Sequence, residues 1–218
     1  MTSSPRLPFD LSRALADADT DPYSALFRLR VYEDDRLAQI IEGRVNFRSR
    51  DRGRLVLRPG LYARGLLHPH QEIIAIGDHL YRRDLSEGAD GSWEKEITEP
   101  QVRDYAFYAE LLLRQGRGVE LAPDGASVRV SGTLATAAVR KIDPATADTM
   151  TLFELEGFDC VITVGAAGRV TRFEQTHPAA GLLPAGRNTV ELSAFGPAVP
   201  VVAPMPGDVP GSTWAQDE

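Results

Sequence analysis

Residues 71–97, QEIIAIGDHLYRRDLSEGADGSWEKEI, decide the fold. Residues 71–76 and 79–84 read as two strands on either side of the turn-forming pair Gly77-Asp78. A loose polar turn over residues 86–91 leads into a third run, in which Trp93 stands among charges and is expected to point outward. Successive side chains of a strand serve opposite faces, so such runs around turn dipeptides mark an antiparallel meander with one wet face. The stretch specifies a sheet and a surface, not an active-site motif.

Upstream, residues 9–19 have the pattern of a short helix, with Asp10 as N-cap, Leu11, Ala14, Leu15 and Ala18 on one stripe, and Asp21-Pro22 as the stop. Residues 25–33 alternate, with Phe27, Leu29 and Val31 on one side and Arg28 and Arg30 on the other. Residues 37–48 follow, with Leu37, Gln39, Ile41, Gly43, Val45 and Phe47 sharing a face, and a turn at 50–53 returns the chain into a strand over 54–57. The Pro-, Gly- and His-bearing stretch 59–70 reads as a loop.

Beyond the meander the period changes. Thr98 and Gln101 have capping-box spacing, Pro100 suits a first helical turn, and Val102, Tyr105, Ala106, Ala109, Leu112 and Leu113 recur at helical spacing up to Gly116. A curved sheet with an apolar concave side needs a cover, and this helix is the natural lid. Residues 128–134 read as a strand, 135–150 as helix broken at Asp143-Pro144, 152–164 as a long strand, 166–168 as a turn, and 169–176 and 188–195 as the last strands. From Pro197 the chain holds five of its fifteen prolines, so this tail is expected to be extended. No repeat, heptad or Gly/Ser linker divides the sequence. The expectation is one α+β domain over residues 1–218, with a core at about 10–206, a flexible N-terminus and a proline-rich C-terminal tail. Its architecture is a curved antiparallel β-sheet with helices packed on the concave face.

Apolar residues make up 43% of the 218, enough for a real core. The net charge of 24 − 31 = −7 speaks against nucleic acid as a partner. Residues 44–64 nonetheless hold seven arginines against one acid, Asp51. The single cysteine, Cys160, excludes an intrachain disulfide and a cysteine metal cage, and its apolar setting predicts a buried, inert thiol. No run of about 18 apolar residues exists, so no membrane span is expected. The N-terminus has neither the basic start nor the apolar run of a signal peptide. As written, the chain is expected in the cytoplasm; a leader removed ahead of Met1 would make it extracytoplasmic.

His68, His70 and His79 could reach a zinc ion, but no fixed carboxylate accompanies them; they read as water-facing loop histidines, and no metal ligand is assigned. Glu154 and Glu156 flank Leu155 on an expected strand and so share a face, the placement of an acid/base pair, and a solvated sheet side explains them equally. Ser12, Ser24 and Ser131 lack a nucleophile-elbow setting, and no phosphate-cradling glycine loop is present. No catalytic residue and no cofactor are implied. Arg44, Arg48, Arg50, Arg52 and Arg54 come from two strands and their turn, so their guanidiniums could converge on a phosphate or carboxylate headgroup. A charged hairpin edge that resists stray strand pairing is the plainer alternative. Tyr105, Phe107, Tyr108 and Leu111 pose a similar choice between lining a ligand tunnel and filling core.

Three pieces of sequence carry a family resemblance: residues 41–47, IEGRVNF, running into Asp51-Arg52-Gly53; residues 76–81, IGDHLY, followed by Trp93; and residues 164–172, VGAAGRVTR, with the ending 192–201, LSAFGPAVPV. In this order the chain resembles the LolA-like fold and, more narrowly, the LppX/LprG lipoprotein family of actinobacteria, over about residues 10–206. The resemblance implies a half-barrel around a hydrophobic cavity and non-catalytic binding of acylated lipids or lipoproteins. The chain departs from typical members in carrying neither the leader nor the lipid-attachment cysteine. On this reading it is a carrier for a hydrophobic small molecule or lipid. Its expected walls are Phe27, Leu29, Ile41, Val45, Phe47, Leu57, Ile74, Ile76, Tyr105 and Tyr108, with Arg44, Arg48, Arg50 and Arg54 toward an anionic headgroup. Two other classes stay open: a protein-interaction or sensor module without a small ligand, and a cavity-type cyclase or isomerase that works by orientation.

Overall fold

A computed structural model describes residues 6–18, 21–60, 69–97, 104–181 and 183–205. The first hairpin joins β1 (Tyr23–Glu33) to β2 (Arg36–Phe47) through Asp34 and Asp35, both at positive φ (47° and 61°), as a tight two-residue turn requires. Next come β3 (Asp51–Pro59), β4 (Gln71–Ile76), β5 (His79–Asp84) and β6 (Trp93–Ile97), paired antiparallel in sequence order. Gly77, at φ +57°, turns β4 into β5. The second half is α2 (Ala106–Gln115), β7 (Arg117–Asp124), β8 (Ser127–Ala135), α3 (Thr136–Val139), α4 (Pro144–Leu152), β9 (Gly157–Val164), β10 (Val170–His177) and β11 (Gly186–Pro197), with α1 (Leu11–Ala16) near the N-terminus. All eleven strands belong to one open sheet, in the order β6-β5-β4-β3-β2-β1-β11-β10-β9-β8-β7.

Several expectations shift. The expected turn at 50–53 lies earlier, because β3 already begins at Asp51, with a bulge between Asp51 and Gly53. Gly53 is required there: it sits at φ +144°, and a Cβ would stand 2.5 Å from the Arg44 carbonyl oxygen. The helical stretch is broken at Asp143-Pro144 as expected, into α3 and α4, and the same pair starts α4: the Asp143 carboxylate accepts from the Thr146 amide at 2.7 Å and Pro144 occupies the first turn. That helix runs to Leu152, so Glu154 and Glu156 lie in the connection before β9; Glu154 has φ +58°, and no strand places the two on one face. Strand β7 escapes the sequence reading because it is a solvent-exposed edge with Pro123 and no buried alternation. The capping-box residues Thr98, Pro100 and Gln101 lie outside the described residues; among the described residues Asp104 accepts from the Ala106 amide at 3.0 Å at the start of α2.

Contacts divide the chain into two units. The first comprises α1, Leu29–Arg36 and Asp104–Leu192; the second holds Asp21–Arg28, the segment from Leu37 through β6, and the segment from Ser193 on. In the first unit α2 lies on β8. Val128, Val130, Leu134, Ile162 and Val164 of the sheet are fully buried there, together with Ala109 and Leu112 of the helix. A ring cluster closes this core: Phe173 stands 5.1 Å from both Tyr105 and Tyr108, and Phe158 is 6.4 Å from Tyr108. Tyr108 donates its hydroxyl proton to Asp143 at 2.6 Å, tying α2 to the start of α4. Asp143→Ala removes both the helix cap and the tyrosine's acceptor and is expected to cost about 2–4 kcal/mol in denaturant unfolding, whereas Asp143→Asn keeps the cap and costs less than half of that.

Candidate functional site

In the second unit the pairing register sorts the side chains onto two faces. Rows of directly paired residues, Gly43–Leu55–Ile73 and Ile41–Leu57–Gln71, share one face with Val45, Gly53, Ala75 and Leu80. The alternate rows, Arg44–Arg54–Ile74–Tyr81–Lys95 and Glu42–Val56–Glu72–Arg83–Trp93, share the other. The two faces are finished differently.

On the first face Val45 and Phe47 are fully buried and Leu57 nearly so, but Ile41, Leu55, Ile73 and Leu80 are only half-buried. Tyr23 stacks on Phe47 with ring centroids 4.9 Å apart, closing one end. Arg82, Asp84, Glu94 and Glu96 follow on β5 and β6, with an Arg82–Glu96 ion pair at 2.8 Å. The result is an apolar patch on β2–β4 with a charged border.

The other face is covered in part by the chain itself. Ile74, Tyr81 and Trp93 form a buried cluster, and Ile76, Val201 and Ala203 pack against it. Trp93 is 6% exposed, correcting the outward placement: its register partner Arg83 lies over its ring at 4.8 Å, and the C-terminal segment roofs that side of the sheet. Glu72, 3% exposed, is bridged by Arg54 and Arg83 together. Burial pushes its carboxyl up, but the hydrogen bonds and charges of the two guanidiniums outweigh burial and hold it below its ordinary value.

The expected wall residues therefore do not form one wall. Ile41, Val45, Phe47 and Leu57 share the half-covered face, while Ile74 and Ile76 belong to the opposite, tail-covered one. Phe27 is buried on β1 in the same unit, and Leu29 is half-buried in the first unit. Tyr105 and Tyr108 belong to the filled ring cluster under α2. Of the expected headgroup arginines, Arg44 and Arg54 are direct register partners on one face, and Arg48 and Arg50 lie in the β2–β3 turn. Arg44 donates to the Ser24 hydroxyl at 2.9 Å and to the Ala194 carbonyl at 3.4 Å, and Arg54 is engaged by Glu72, both on the face opposite Ile41 and Leu57. Arg48 sits in the β2–β3 turn at φ +57°, and Arg50 beside it is exposed, its carbonyl accepting from Gly77. Sequence reading missed Leu55, Ile73 and Leu80; each sits in a continuous apolar run (55–57, 73–76 and 80–81), so assigning a face needed the inter-strand register.

The remaining candidates are accounted for by structure. Cys160 is buried, and burial followed by the Asp159 charge pushes its thiol up to about 12. Among the described residues no group of three or more His, Cys, Asp or Glu is close enough to hold a metal ion; His68 lies outside them. Among the described residues no helix is long and apolar enough to cross a membrane. The first unit has an open cleft of about 500 Å³ beside α1, lined by the apolar Phe9, Ala14, Ala166 and Ala167 and by the charged Asp10, Arg13, Asp17 and Arg169.

The chain is similar to the crystal structure of a LolA superfamily protein from Nitrosomonas europaea, with a TM-score of 0.29 and 9% identity over 88% of this chain and 95% of that one. No family model matches the chain, and no curated protein does.

Two outcomes follow from the site's electrostatics. Because the Glu72 carboxyl is lowered in the folded chain, its contribution is complete at neutral pH and is lost as pH falls from the ordinary carboxylate range through the folded value. Glu72→Gln is thus expected to destabilise by about 1–3 kcal/mol at pH 7 and to approach the parent chain in acid, read by urea unfolding across pH. Cys160 is expected to resist a thiol reagent at pH 8 until the chain unfolds, read as absorbance with and without denaturant.

Proposed function

We propose that this chain is a non-catalytic binding protein that holds an apolar ligand of acyl-chain type against the β2–β4 face of its second unit. The observation that carries the reading is the unequal finishing of the two faces. One has its own C-terminal segment and a bridged Glu72, while the other keeps Ile41, Leu55, Ile73 and Leu80 half-covered inside a charged border. The motifs that resemble the LolA-like fold, and within it the LppX/LprG family, support the same reading, as does the open antiparallel sheet.

The chemistry is burial. Each methylene removed from water contributes about 0.8 kcal/mol, so a chain of a dozen carbons gains several kcal/mol beyond the cost of immobilising it.

Protein purified from its native host and sprayed under native conditions is expected to carry an added mass that lipid extraction removes. Leu55→Asp or Ile73→Asp is expected to weaken binding of a fluorescent fatty acid by at least about tenfold, while Arg58→Ala on the opposite face leaves it unchanged. A clean unliganded mass together with no fatty-acid binding would overturn the reading.

A further inference from the structure

The C-terminal segment is held in a way that ordinary tail packing does not need. Asn46, 1% exposed, donates through Nδ2 to the Val199 carbonyl at 2.8 Å and accepts the Val199 amide through Oδ1 at 3.0 Å. One side-chain amide thereby satisfies both backbone groups of one residue, as a neighbouring strand would. The same Nδ2 also donates to the Asp51 carbonyl at 2.8 Å, which fixes the amide's orientation. Just upstream, the Ser24 hydroxyl donates to the Pro197 carbonyl at 2.8 Å.

Downstream of the clasp the segment alternates. Val201 and Ala203 turn inward onto Ile74, Tyr81 and Trp93, while Pro200 and Val202 face water, Val202 at 78% exposure. This is an extended valine–proline segment read at two points: a backbone clasp that ignores sequence, and an aromatic floor that takes every second side chain. Those are the elements by which folded domains recognise extended peptides. The floor is preorganised on strands, with Arg83 over Trp93 at 4.8 Å and Lys95 over Tyr81 at 6.0 Å.

We propose that the face carrying Asn46, Ile74, Tyr81 and Trp93 is a recognition groove for an extended valine–proline peptide segment, and that residues 199–203 are its built-in occupant, exchangeable for a matching segment of another polypeptide. Prolines suit such an occupant, because they restrict the free segment toward the extended form and cut the entropy lost on docking. The built-in occupant acts as a plug: a segment in trans must compete with one tethered at high effective concentration.

The test uses the full chain in a Trp214→Phe background, so that Trp93 alone reports the groove. Val201→Asp places a charge on the aromatic floor and is expected to loosen the plug, moving Trp93 emission to the red. A fluorescein-labelled peptide of residues 197–205, PAVPVVAPM, is expected to bind the Val201→Asp chain at least about tenfold more tightly than the unsubstituted one, and to restore the blue emission. The same peptide N-methylated at the valine corresponding to Val199 is expected to lose that gain, since it cannot donate to Asn46. Red-shifted emission with no peptide binding, or equal binding of the two peptides, would overturn the proposal. Where Val201→Asp does not fold, hydrogen exchange of the unsubstituted chain decides: the Val199 and Val201 amides are expected to exchange at least about a hundredfold faster than the β9 amides, and equal protection would overturn exchangeability.

Discussion

A strand offers each side chain one of two faces, and the hydrogen-bonded register between strands decides which. In the second unit that register is unbroken from Gln39 to Val45 against β3 and continues through β4 and β5, interrupted only at the Gly53 bulge. A slip of one residue would carry Leu55 and Ile73 to the tail-covered face and Glu72 to the apolar one. The bulge, the Asn46 amide on the Asp51 carbonyl and the Gly77 turn all lie at one end of these strands and pin the register there.

Once the faces are assigned, the chemistry separates. The tail-covered face buries a carboxylate between two guanidiniums and an aromatic cluster beneath a segment of the same chain. That segment is its built-in occupant. The face with Ile41, Leu55 and Ile73 is partly dry and partly open, bordered by the charges of β5 and β6. In the first unit Tyr105, Tyr108, Phe158 and Phe173 pack together at α2. A ligand wall and a packed core are built from the same residue types; only coverage tells them apart.

Much of the fold was legible in the sequence. The meander around Gly77-Asp78, the α1 cap at Asp10 and the β9–β10 turn ending at Gly168 follow from turn chemistry and period, which are local signals. What escaped depended on distant partners. Trp93 looked solvent-facing because its neighbours in sequence are charged, while its neighbours in space are Arg83, Ile74 and the C-terminal segment. Strand β7 escaped because an edge strand has no need of buried alternation. For the site, the sequence offered apolar runs but could not say that Ile74 and Leu57 face opposite ways, nor that Arg54 is engaged by Glu72. Those facts live in the register.

The most direct measurement of the account is photo-crosslinking with a fatty acid that carries a diazirine on its chain, followed by peptide mapping of the labelled sites. The account predicts labels concentrated on Ile41, Leu55, Leu57, Ile73 and Leu80, competed away by unlabelled fatty acid. Labels spread without competition, or concentrated on the aromatic residues beneath α2, would contradict it.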